Sequence, residues 1–94
     1  MTTPRTITLN ATSRGNWILD LGSKAFAGSN ADDLRGVVQA LEVAGEAGET
    51  VVRPAGYTPI TVARPEVLTA AAALARECLP QIERKKRIER TATV

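Results

Sequence analysis

Ninety-four residues with 44% apolar and 23% charged side chains suffice for one modest core but not two, and are too ordinary for wholesale disorder. The chain has no histidine, which removes the commonest general base and metal ligand, and its single cysteine, Cys78, excludes an intrachain disulfide. The net charge of +2 does not by itself imply nucleic acid.

That charge is unevenly spread. Residues 30–50 carry Asp32, Asp33, Glu42, Glu46 and Glu49 against Arg35, while residues 81–90 carry Arg84, Lys85, Lys86, Arg87 and Arg90 against Glu83 and Glu89. A bipolar molecule of this kind can pair head to tail or present two differently charged faces. No segment approaches the roughly 20 apolar residues that span a bilayer. Met1 to Arg5 reads as a short tail without the apolar region of a signal peptide, so a soluble cytoplasmic protein is expected, with no membrane contact.

From Thr6 to Thr12, Ile7, Leu9 and Ala11 recur at period two and predict a half-buried strand. Ser13 to Asn16 supplies turn residues, and Trp17 to Leu21 reads as the returning strand of a hairpin. Gly22 to Ser29 reads as a loop carrying Lys24 and Phe26. Ser29 or Asn30 can cap a helix from about Ala31 to Ala44, whose stripe is Leu34, Val37, Val38 and Leu41 and whose outer face carries Val43. A second hairpin is expected from Glu49–Arg53 and Thr58–Ala63, with Pro54 and Pro59 confining at least one strand to a sheet edge. Pro65 then opens a long helix to about Arg90, with an apolar stripe through Leu68, Ala71, Ala72, Ala75, Cys78, Leu79 and Ile82. Pro80 falls on its solvent side and predicts a bend rather than an end. Beyond Ile82 the stripe stops, so the helix is expected to outrun the body, and residues 91–94 to form a tail.

The order ββαββα predicts a single α+β domain over residues 1–94. A four-stranded, mainly antiparallel sheet would carry both helices on one face.

Chemistry is harder to place. A triad, a Cys–His pair and a zinc cluster are all excluded by residue count. Asp32 and Asp33 are consecutive on a helix, so they diverge and read as first-turn acids stabilising its dipole. Cys78 reads as a small core hydrophobe. The Gly22–Gly28 segment sits between strand and helix as a phosphate loop does. It lacks the Gly-Lys-Ser/Thr of the Walker pattern and is followed by two aspartates, leaving Lys24 and Phe26 as secondary ligand candidates. Phe26 reads first as a lid over the core.

Two surfaces remain. The basic run Arg84–Arg87, with Arg90, splays around the expected helix, and its best grouping is Lys86, Arg87 and Arg90. Glu83, four residues before Arg87, favours a solvated helix end. A protein or self-association surface and a nucleic-acid contact are the other readings. Around the second hairpin tip, Arg53, Tyr57 and Arg64 make a candidate contact anchor, unless Tyr57 packs back over its own strands. The expected function is a small non-enzymatic binding protein, an adaptor, inhibitor or assembly component without cofactor or metal. It would act through protein contact, including contact with its own copies. Small single domains of this kind are frequent among bacteriophage and mobile-element proteins. The alternatives are nucleic-acid binding through the C-terminal helix and small-ligand binding at Gly22–Gly28.

Overall fold

The computed structural model describes residues 6–22 and 24–94; the expected tail over residues 1–5 lies outside them. The chain forms β1 (Thr6–Ala11), β2 (Trp17–Asp20), β3 (Ala25–Gly28), α1 (Ala31–Glu46), β4 (Val51–Val52), β5 (Ile60–Thr61), α2 (Pro65–Glu83) and β6 (Ile88–Thr93). The class is the expected one, α+β with a four-stranded antiparallel sheet and two helices. The strands that build the sheet differ from expectation: its order is β3-β2-β1-β6, and β4 and β5 form a separate two-stranded ribbon.

The inward face is the one the period-two pattern predicts. Ile7, Leu9 and Ala11 of β1 and Trp17 and Leu19 of β2 are buried, and Leu34, Val37, Val38 and Leu41 of α1 close over them with the apolar stripe of α2. The opposite sheet face stays open, carrying Thr8, Asn10, Ile18, Asp20 and Thr91. Asn30 is the cap of α1: its side-chain oxygen accepts from the Asp33 backbone N–H at 2.8 Å.

Three expectations need correcting. The first is the Gly22–Ser29 loop. It is a tight turn followed by β3, with the Leu21 N–H donating to the Lys24 carbonyl at 2.8 Å and Ala25–Gly28 pairing with β2. Ala-Phe-Ala-Gly carries no β-branched residue, so its strand character comes from the partner strand and from Phe26 pointing inward. The second is the C-terminal helix, which runs past the exposed Pro80 but ends at Glu83, not Arg90. The third is the supposed tail. Residues 88–93 form β6, paired with β1 from Thr6↔Thr93 to Ala11↔Ile88.

The missed helix end has a specific cause. Both helices terminate in a Schellman motif. In α1, the Glu49 N–H donates to the Ala44 carbonyl at 3.0 Å and the Gly48 N–H to the Gly45 carbonyl at 3.1 Å, with Gly48 left-handed at φ 72°. In α2, the Lys86 N–H donates to the Gln81 carbonyl at 3.0 Å and the Lys85 N–H to the Ile82 carbonyl at 2.9 Å, with Lys85 left-handed at φ 56°. A lysine stands where a glycine would announce the stop. Lys85→Gly is therefore expected to stabilise the protein by about 1 kcal/mol, read as a higher urea midpoint at unchanged slope. A lower midpoint would mean that the lysine stem supplies packing worth more than the backbone strain.

Candidate functional site

Among the described residues, no group of three His, Cys, Asp or Glu side chains converges on a cation position, and the buried core holds no polar or charged side chain. Cys78 is buried in the α2 stripe, and that burial pushes its thiol titration up, in keeping with an inert core residue. No described helix is long and apolar enough to cross a membrane.

The three residues grouped at the second hairpin tip do not converge. Tyr57 is half-buried and leans over the core, edge-on to Phe26 at 5.5 Å between ring centroids and tilted against Trp17 at 6.5 Å. Burial, and then the charge of Asp33, hold its phenol above the ordinary tyrosine range. Tyr57 thus packs inward, but against β2 and β3 rather than over the strands of its own hairpin. Arg64 is the exposed N-cap residue of α2 and makes no side-chain cap bond. Arg53 lies in a different depression. Lys24, Phe26 and Tyr57 do share one hollow, of about 390 Å³, but Phe26 is only 2% exposed and offers a partner almost nothing.

The basic run is also rearranged. Arg84 to Arg87 form the turn between α2 and β6, and Arg90 sits within β6 opposite Leu9, close enough to bias the Cys78 thiol. The grouping of Lys86, Arg87 and Arg90 along one helix face is therefore lost, since those residues are not helical. Glu83 does not serve Arg87: it pairs with Arg35, which also pairs with Asp32, so one guanidinium ties the start of α1 to the end of α2. Toward the other end of the helix pair, Arg76 grips Glu42 with a second α1–α2 bridge, its Nε donating to the carboxylate at 2.9 Å.

A groove of about 850 Å³ lies between the outer face of α1 and the segment after it. Gly36, Ala40 and Val43 follow one another at helical spacing along one wall, and Val51, Pro54 and Ala55 form the other. Gln39, Glu49, Thr50 and Arg53 make a polar rim. Val43 is 63% exposed, the more exposed of two large apolar side chains left in water among the described residues, the other being Ile18 on the open sheet face at 51%.

No protein-family model, curated protein or solved structure matches this chain.

Sequence reasoning singled out Val43 but not the groove, because the second wall exists only once residues 48–55 turn back alongside α1. It also missed Arg14, which the pairing of Ala11 with Ile88 brings beside the basic turn. No local signal marks that residue.

Proposed function

We propose that this is a small non-enzymatic binding protein that works through protein–protein contact at the α1 groove. The observation carrying the reading is Val43, an apolar side chain 63% exposed beside Ala40, Val51 and Pro54, under a rim bearing one acid and one base. Contiguous exposed apolar surface with a polar border is how interaction sites present themselves on soluble domains. The small side chains at Gly36 and Ala40 let a partner helix or loop approach the α1 backbone closely. Glu49 and Arg53 would fix its register by charge. Both bridges that hold α1 against α2 involve other residues, Arg35 and Arg76, so the groove can be occupied without opening the fold.

The test combines affinity capture from the native host, with and without nuclease, with the oligomeric mass by light scattering. The wild type is expected to retain a protein partner or to self-associate. Val43→Gln should weaken that contact roughly thirtyfold, the effect of a central anchor worth about 2 kcal/mol. Its thermal stability should stay within about 0.5 kcal/mol of the wild type, as for an exposed position. A monomeric protein that captures nothing, or a contact indifferent to Val43, would refute the reading.

A further inference from the structure

The far end of the molecule from the α1 C-terminus carries a second surface of different chemistry. Pairing of Ala11 with Ile88 sets the β1–β2 turn beside the α2–β6 turn, so Arg14 joins Arg84, Lys85, Lys86 and Arg87. Arg14 and Lys85 line one hollow with Gly15 and Asn30, and all five basic side chains are exposed. Among the described residues none of the five takes part in a salt bridge, whereas Glu83 and Asp32 at the same end are both engaged by Arg35, and Asp33 stands beside them in the first turn of α1. These five bases and Arg35 still outnumber Asp32, Asp33, Glu83 and the flanking Glu89 of β6, so this end keeps a net positive field. Lys85 moreover holds a left-handed backbone at φ 56°, a conformation that disfavours side chains. Strain retained at a charged turn points to use of that charge.

We propose that this end of the protein docks on the phosphate backbone of nucleic acid. Four exposed cations on four consecutive residues, joined by Arg14, are complementary in charge to a polymer with about one negative charge per 1.7 Å of duplex axis. Thr12, Ser13 and Asn16, in the same turn as Arg14, can donate to phosphate oxygens. The two turns carry no large apolar side chain that could enter a membrane. Trp17 and Phe26 face the core and Tyr57 lies over them, so the open sheet face offers no ring for stacking, and binding is blind to sequence.

Fluorescence anisotropy of a labelled duplex of about 20 base pairs with the full-length protein tests this. Binding is expected at about 50 mM salt and should weaken about a hundredfold by about 200 mM, the slope for roughly four phosphates. The double variant Lys86→Glu/Arg87→Glu should abolish it, and a duplex of scrambled sequence should bind equally. Lys85→Gly should lower the salt slope by about one while raising the urea midpoint, separating charge from folding. Val43→Gln should leave it untouched, so loss of the groove contact and loss of this one are distinguishable. The proposal is overturned by absence of binding at the low salt or by indifference to the double reversal. Tighter binding to polyglutamate, or to phosphatidylcholine vesicles containing phosphatidylserine, would equally overturn it.

Discussion

Removing residues 84–94 is expected to unfold the protein. The segment supplies β6, which pairs with β1 along its whole length, from Thr6↔Thr93 to Ala11↔Ile88. Its loss costs on the order of six ladder hydrogen bonds at about 1 kcal/mol each. It also costs the burial of Ile88, roughly 2 kcal/mol, and leaves Ile7 and Leu9 on a bare edge. Some 8 kcal/mol is comparable with the entire stability of a domain this size, about 5–15 kcal/mol. Loss of the cooperative urea transition and of the far-ultraviolet circular dichroism signal is the expected outcome. A truncated chain that still unfolds cooperatively, with Trp17 emission like that of the full chain, would show that β6 is dispensable. Ile88→Ala is the milder companion, expected to cost about 2–4 kcal/mol while keeping the fold. A deletion of this end therefore cannot map binding, and point reversals of charge must replace it.

Gly28→Ala is expected to be the most damaging single-methyl change in the sheet, at about 2–4 kcal/mol. Gly28 faces Trp17 directly across the β2–β3 ladder, and the indole lies over it. A Cβ there would stand 2.6 Å from Trp17 Cζ2 and 2.8 Å from Nε1, well inside contact distance. The ring cannot simply slide away, because its N–H donates to the Asn30 carbonyl at 2.8 Å, anchoring β2 to the residue that caps α1. The methyl must therefore either overpack the site or break that bond and leave an indole N–H without a partner. Trp17 is the chain's one tryptophan, so its fluorescence reports the outcome directly. A red-shifted native emission and a urea midpoint lower by roughly 1–3 M are expected. An unshifted midpoint would mean that the ring has room the packing does not reveal.

The parts of the fold legible in the sequence are those whose signals are local. Period two in Ile7-Leu9-Ala11, a cap at Ser29 or Asn30, the stripe of α1 and Pro65 at the first turn of α2 each declare themselves within a few residues. What escaped depends on partners far along the chain. β3 has small residues without strand preference and exists because β2 lies beside it. The end of α2 is marked by a lysine in a glycine's conformation, and Ile88-Glu-Arg-Thr-Ala-Thr joins the sheet because β1 offers a free edge. Pro54 and Pro59, expected to confine a strand to a sheet edge, flank a hairpin with two paired residues in each strand that stands apart from the main sheet. The same division governs the candidate surfaces. Val43 was visible as a lone valine on the wrong face, whereas its groove and the company of Arg14 needed tertiary structure. Arg53 and Tyr57 are close in sequence, yet they line different depressions, because Tyr57 serves the core.

The pairing of β1 with β6 also sets the order of events during synthesis. A ribosome makes β1, an inner strand, well before its neighbour β6, with more than seventy residues between Ala11 and Ile88. Closing so long a loop is entropically opposed, so the β1–β2–β3 meander and the two helices can form early while the β1–β6 ladder waits. Until Ile88–Thr93 emerge, Ile7 and Leu9 lie along an open strand edge, the kind of surface that nascent chains bury against chaperones or against one another.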